Sequence, residues 1–186
     1  ECAFHSTNAI CAALGAAAVV FAASSGGASA AGVRLLIWFG LEGLLFLVGV
    51  AFHLAASAYS SAFIRLDARN YIGDAFIFLA LMIRVGAPLA HVWFKDAVRH
   101  ASPTGAAALT AFSTSLGVYA LARLFPAELF LIPVGVAMTA IGLLFAVAED
   151  DLRAAAAAGL SAVTGVCVML IGVGSPLALA AAAAEA

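Results

Sequence analysis

The chain has 186 residues, of which 66% are hydrophobic and only 10% are charged, and its formal net charge is −2. A soluble domain is usually about 45–50% apolar and about 25% charged, so this composition excludes an ordinary water-soluble fold and indicates lipid as the solvent. The sequence has no basic arm or acidic tail, which argues against nucleic acid as a partner. Its three cysteines, Cys2, Cys11 and Cys167, have no metal-ligand spacing, so we expect neither a metal site nor a disulfide framework.

Six apolar segments are long enough to cross a bilayer as helices, which takes about 20 residues each. In chain order they are residues 3–23, 33–57, 72–94, 104–124, 128–148 and 154–175. Most of the breaks between them are short, which favours antiparallel neighbours. We therefore predict an all-α fold, a polytopic transmembrane bundle of about six membrane-spanning helices. It would form a single transmembrane domain over residues 1–186, and we expect it to be a fragment of a longer membrane protein.

Two charged residues, Glu42 and Arg84, fall near the middle of their predicted helices. A charge at the centre of a bilayer costs roughly 2.5–3.5 kcal/mol on insertion scales, so such a side chain should face the bundle interior and find a partner. The two residues lie on consecutive antiparallel helices at similar depth. The sequence therefore allows a Glu42–Arg84 ion pair inside the membrane.

Gly86 and Pro88 predict a break in the third helix next to that arginine. Proline has no N–H, so the carbonyl of residue 84 should lose its helical partner, and Gly86 should loosen the same turn. Broken helices at membrane depth are tolerated where they are buried in protein or line a wet cavity. Two interpretations stay open: a kink with a structural salt bridge, and a hydrated charge site on an ion path.

Histidines and a polar segment add weaker signals. His91 follows Arg84 by about two helical turns, so it shares roughly the same face. A histidine there suits proton transfer, although an ordinary hydrogen-bonding role is an equal alternative. His53, near a helix end, is expected at the membrane interface. In the segment AEDDLR, Asp150 or Asp151 is expected to cap the sixth helix.

Three stretches carry a resemblance to a known family. They are RVGAPLAHVWFKDAVRHASPTG, AFSTSLGVYALARLF and VAEDDLRAAAAAGLSAVTGV. In this order and at nearly gapless spacing, they resemble the signature segments of the antiporter-like proteins. That family is shared by respiratory complex I, Mrp-type multisubunit cation/proton antiporters and membrane-bound hydrogenases. The resemblance is strongest over residues 80–170, is nearest to the D-type component of the Mrp antiporters, and implies the family's fifth to tenth helices.

The resemblance also implies roles for individual residues. Arg84 falls on the family's paired lysine, whose glutamate partner would be Glu1. His91 and Asp96 fall on the signature's histidine and aspartate, and Ser115 falls on a lysine of the next helix. Glu42 would be an added acid. Because arginine is effectively always charged and serine carries no charge, the family's titratable chain is altered at two central positions.

These features favour a proton-translocating subunit of a multisubunit cation/proton antiporter or of a related redox-driven pump, such as an NADH–quinone oxidoreductase-like complex. The alternative is a structural or assembly subunit that keeps the bundle and does not conduct. A third interpretation, an unrelated transporter, would use Arg84 to bind an anionic solute. The proton path would use Glu1, Glu42, Arg84, His91, Asp96 and Ser115.

The expected surroundings follow from the same interpretation. The partners would be the lipid bilayer, other membrane subunits, and protons, with sodium as an alternative coupling ion. The protein would lie in a bacterial inner membrane. No nucleophile set, phosphate loop or cofactor motif is recognisable, so we expect no catalytic chemistry in this chain and no cofactor.

Overall fold

The computed structural model describes residues 26–56, 66, 71–88, 91–101, 106, 109, 114–177 and 180. The predicted helix at residues 3–23 and the candidate residue Glu1 lie outside the described residues. In the described part the regular elements are six α-helices. They are α1 (Gly26–Ala56), α2 (Ile72–Val85), α3 (His91–His100), α4 (Ser115–Leu124), α5 (Leu131–Ala148) and α6 (Leu152–Val173). The all-α prediction is confirmed for this part of the chain.

Three of these helices are long and apolar enough to cross a membrane: Ala30–Ala55 within α1, then Leu131–Ala148 and Leu152–Val173. They correspond to the predicted segments 33–57, 128–148 and 154–175. α2 has 14 residues, so it extends about 21 Å, less than the roughly 30 Å of a hydrocarbon core. The total of about six membrane-spanning helices therefore stays a prediction.

The predicted segment 72–94 is two helices. α2 ends at Val85, because Gly86 adopts a left-handed conformation with φ 78°. The N–H of Gly86 donates to the carbonyl of Ile83 at 3.1 Å, and that of Ala87 donates to the carbonyl of Met82 at 2.9 Å. This pair of bonds is a Schellman ending. The helix therefore breaks near Gly86 and Pro88 as predicted, and glycine ends it before Pro88 is reached.

α3 corrects the end of the predicted segment 72–94. The charged residues Lys95, Asp96 and Arg99 belong to an amphipathic helix that runs to His100. One face of this helix is apolar and buried, and it comprises Trp93, Phe94, Ala97 and Val98. This i, i+1, i+4, i+5 spacing is helical. Hydropathy falls at the charged residues on one face of α3. The hydropathy pattern therefore placed the end of the helix too early.

Close helix packing depends on small residues at two interfaces. Between α5 and α6, a Cβ added to Gly135 would lie 2.5 Å from the backbone nitrogen of Met169, and one added to Gly142 would lie 2.7 Å from that of Ala162. Between α1 and α2, a Cβ on Gly73 would lie 2.5 Å from the backbone nitrogen of His53. Such backbone contact is typical of helices that associate in lipid.

The remaining helices complete the core around these two hairpins. α4 packs against α2, and α3 contacts α1 on one side and α6 on the other. Phe125, just after α4, meets Phe78 of α2 edge to face at 5.1 Å. The end of α4 therefore lies beside the first half of α2, while Gly117 near its start lies against Arg84. α2 and α4 are consequently antiparallel.

A buried charge site between the first two helices

Glu42 and Arg84 form a buried ion pair between α1 and α2. The Arg84 Nη2 atom lies 3.2 Å from the Glu42 Oε2 atom, and the two side chains are 2% and 1% exposed. Glu42 sits at the middle of the candidate span Ala30–Ala55. The structure thus brings together the two central charges that the sequence singled out.

Phe39, Gly117 and the C-terminal turn of α2 position the arginine. Its Cζ atom lies 4.6 Å from the ring centroid of Phe39, which is a cation–π distance. A Cβ added to Gly117 of α4 would lie 2.6 Å from the Arg84 Cγ atom, so only glycine leaves room for the arginine stem. Arg84 is also in the last turn of α2. A helix C-terminus favours a positive charge there.

Trp93 of α3 covers the same site from the far side of the helix break. Its indole Nε1–H donates to the carbonyl of Ile83 at 3.0 Å, and this bond is buried. Its ring meets Phe39 edge to face, with centroids 5.1 Å apart. The break therefore leaves the Ile83 carbonyl bonded to both Gly86 and Trp93, and it packs Trp93 against Phe39, the ring that lies over the guanidinium.

A second, partly buried pair, His53–Asp74, lies at the other end of the α1–α2 interface. The His53 Nδ1 atom is 2.5 Å from the Asp74 Oδ1 atom, with the side chains 15% and 2% exposed. The sequence predicts His53 at the membrane interface, and Asp74 is not among the predicted site residues. The sequence could have predicted the His53–Asp74 contact, because the end of one helix and the start of the next must meet in an antiparallel hairpin.

α3 is tied to its neighbours by ion pairs. Asp96 accepts from Arg34 of α1, with Nε–Oδ2 at 2.7 Å and Nη2–Oδ1 at 3.1 Å. Lys95 pairs with Glu149, which lies three residues before α6 begins, and its Nζ lies 4.7 Å from the ring centroid of Phe145. Asp96, predicted on the proton path, is therefore joined to a partially exposed arginine at the edge of the bundle. The structure does not bring it together with Glu42 and Arg84.

The other candidate residues are placed as follows. Ser115 is the first residue of α4 and is half-buried. His91 is the first residue of α3, and its side chain lies outside the described residues. Asp151 caps α6 by accepting from the Arg153 N–H at 3.1 Å, as predicted for this segment. Among the described residues, no three His, Cys, Asp or Glu side chains are placed to hold a metal ion.

Comparisons with known proteins place the fold. No protein-family model matches the sequence, and no curated protein matches it. Among solved structures, the chain is similar to one chain of the Mrp complex from Dietzia sp. DQ12-45-1b. The TM-score is 0.76 with 22% sequence identity over 87% of this chain. The match spans 33% of the length of that chain. At this identity the likeness shows a shared fold, and with the three apolar helices it supports an integral membrane protein.

Proposed function

We propose that the chain is a proton-translocating subunit of a multisubunit cation/proton antiporter in a bacterial inner membrane. The observation that carries this proposal is the Glu42–Arg84 ion pair, buried at 1% and 2% exposure at the middle of a candidate span. Ionisable residues inside a membrane are expensive, and they mark ion pathways and proton relays. A bundle that needed only stability would be served as well by apolar side chains of similar volume.

The two members of the pair would play different parts. Arginine does not release its proton in proteins, so Arg84 acts as a fixed positive charge. Glu42 is then the member that takes up and releases a proton. Its carboxylate is stabilised while it faces Arg84, and it would accept a proton when the two side chains separate. A proton moving through this region would therefore be coupled to the opening of the ion pair.

The fold likeness to a chain of the Mrp complex supports the same proposal. It agrees with the resemblance of residues 80–170 to the antiporter-like signature segments. On this proposal the partners are other membrane subunits, and the transported ions are protons, with sodium as the alternative coupling ion. Assignment to the D-type component of an Mrp antiporter, or to a redox-driven relative, belongs to the proposal as its finer form.

A non-conducting structural subunit is the second candidate. It is favoured by the fixed charge of Arg84 and by the near-complete burial of the pair in this conformation. A pair that never opens would simply hold α1 against α2. The two candidates differ in whether transport depends on the chemistry of the pair.

Transport measurements on Arg84 variants separate these candidates. The full-length protein is reconstituted with its partner subunits in liposomes, and cation-driven proton flux is followed with a pH-sensitive dye. We expect Arg84→Ala to reduce flux by about 10²-fold, with Arg84→Lys retaining part of it. Arg99→Ala is the matched control, because Arg99 is 53% exposed and pairs with Asp151 at the surface. Flux that is indifferent to both Arg84 variants in assembled complexes would leave the structural candidate standing.

A further inference from the structure

The His53–Asp74 pair has no part in the mechanism above, although it is almost as buried as Glu42–Arg84. Asp74 is 2% exposed and His53 is 15% exposed, and their side chains meet at 2.5 Å. Gly49 and Gly73 make this contact close, since a Cβ on Gly49 would lie 2.8 Å from the Gly73 carbonyl oxygen. The backbones of α1 and α2 thus touch where the two ionisable side chains meet.

Both side chains lie at helix ends. His53 is in the last turn of α1, and Asp74 is in the first turn of α2. The C-terminal end of one helix therefore lies beside the imidazole, and the N-terminal end of the other lies beside the carboxyl group. His53 also lies at the end of the candidate span Ala30–Ala55. The pair therefore lies at the end of that candidate span, and most of its remaining exposure belongs to the histidine.

An apolar stretch separates this pair from the central one. Along α1, His53 follows Glu42 by eleven residues, which is about 16 Å in a helix. The side chains between the two pairs belong to the hydrophobic core or pack against it. They are Phe46 and Val50 on α1 and Ile77 and Leu81 on α2. Along the α1–α2 interface, apolar side chains therefore separate the His53–Asp74 pair (the outer pair) from the Glu42–Arg84 pair (the inner pair).

Few other charges share this end of the molecule in the described part of the chain. Along the same interface the charged groups are Glu42 and Arg84 of the inner pair. From α4, which packs against α2, Arg123 is exposed, and the half-buried Glu128 follows that helix. Neither of these two is buried between α1 and α2.

We propose that His53 and Asp74 form a proton-binding site at the membrane boundary, which exchanges protons with water on that side. This inference rests on the proposed function. Neutral imidazole takes a proton from water and becomes an imidazolium that stays paired with the Asp74 carboxylate. The net charge of the pair changes from −1 to 0, and release of the proton to water reverses the step. A histidine at the end of the span performs the exchange that the arginine at its middle cannot.

The test uses the full-length protein in its reconstituted complex. His53→Gln removes the titratable group, and His53→Arg keeps a positive charge without a proton that can be released near neutral pH. We expect both to reduce cation-driven proton flux by about tenfold or more in assembled complexes. His100→Gln is the matched control, since His100 also lies 3.5 Å from an aspartate but on the amphipathic helix α3. We expect it to leave flux within about twofold of wild type.

The outcomes distinguish this site from the proposed function. If Arg84→Ala abolishes flux while both His53 variants conduct normally, the His53–Asp74 site is wrong and the function stands. If none of the variants changes flux, the proposed function fails as well. A His53→Arg variant that conducts normally beside an impaired His53→Gln overturns proton exchange, because a fixed charge then suffices.

A second measurement covers variants that fail to assemble. Nitrogen-15 magic-angle-spinning spectra of the wild-type complex report the protonation of each histidine ring. We expect the His53 signals to move from neutral to imidazolium positions as the pH is lowered across the range in which the complex is stable, with Asp74 in place. Signals that keep one protonation state across this range overturn the proposal.

Discussion

The α1–α2 and α5–α6 hairpins both pack two helices closely together, but the side chains at their interfaces differ. Both bring backbones into contact through glycines, Gly49 and Gly73 in one and Gly135 and Gly165 in the other. The described α5–α6 interface is otherwise apolar, and the Thr139 hydroxyl donates across it to the Ala162 carbonyl at 3.3 Å. The α1–α2 interface instead buries two ionisable pairs.

This difference separates a scaffold from a site. Glycines and apolar side chains hold α5 against α6 without an ion pair among the described residues, so close association in this fold does not need charge. Close packing of α1 against α2 therefore does not require the ion pairs. A buried ion pair is in any case weak evidence for stability. Four experiments test this contrast, beginning with the one that should have the largest effect.

Removing one member of the inner pair should be the most damaging change. Glu42→Leu leaves the Arg84 guanidinium buried without its carboxylate, which we expect to lower the free energy of unfolding by about 3–5 kcal/mol. The double variant Glu42→Leu/Arg84→Met should recover that loss to within about 1 kcal/mol, because apolar replacements of similar volume are tolerated. Equilibrium unfolding in mixed micelles measures both.

Transport by the same double variant sharpens the comparison. Recovered stability without recovered flux would show that the pair serves transport. A double variant as unstable as the single one would mean that the pair is needed to hold α1 against α2.

A clash at the α5–α6 interface should come next in size. In Gly135→Ala the new methyl would lie 2.5 Å from the Met169 backbone nitrogen, so the helices must move apart. We expect a loss of about 1–3 kcal/mol, as for other overpacked cores. Gly159→Ala is the control on α6, since a Cβ there meets nothing within 4 Å. It should stabilise the helix by about 0.5–1 kcal/mol.

Flux per assembled complex decides what this interface does. We expect it to be unchanged in Gly135→Ala, and a specific loss of transport would contradict the scaffold role.

The Lys95–Glu149 pair should have a smaller effect. These side chains are 24% and 20% exposed, and Lys95 also lies over Phe145. A double-mutant cycle with Lys95→Ala and Glu149→Ala should give a coupling energy of about 1 kcal/mol. A cycle with no coupling would mean that α3 is held to α6 by its apolar face alone.

The Arg99–Asp151 pair should have the smallest effect. Its atoms are 3.6 Å apart and its side chains are 53% and 40% exposed. We expect Arg99→Ala to cost less than about 0.5 kcal/mol, with the difference vanishing in high salt. Asp151→Ala should cost more, about 1 kcal/mol, because Asp151 also caps α6. Equal costs for the two variants would contradict this division between pair and cap.

Sequence patterns were sufficient where length and depth decide structure. The long apolar runs predicted α1, α5 and α6, and the similar depth of Glu42 and Arg84 on consecutive helices anticipated their pairing. The capping role of Asp151 followed from its position before an apolar run. Each of these inferences needed only local composition and the thickness of a bilayer.

Other features depend on contacts between distant segments. Lys95 and Glu149 are 54 residues apart, and nothing local announces that they meet. Hydropathy ended a helix at the first charges after Phe94, although the buried face of α3 continues to Val98. The left-handed Gly86, and not Pro88, ends α2, which is a choice between two helix-breaking residues that the sequence leaves open.

The ending at Gly86 has a mechanical consequence for the arginine beside it. In an unbroken rod, any rotation of the charged surface helix would turn Arg84 with it. α2 and α3 are instead separate helices that follow one another through Gly86 and are linked by the Trp93 indole hydrogen bond. A rotation of α3 is therefore not passed directly to α2. The orientation of the buried Arg84 side chain therefore depends on its contacts with α1 and α4, while α3 is held separately by its ion pairs with Arg34 and Glu149.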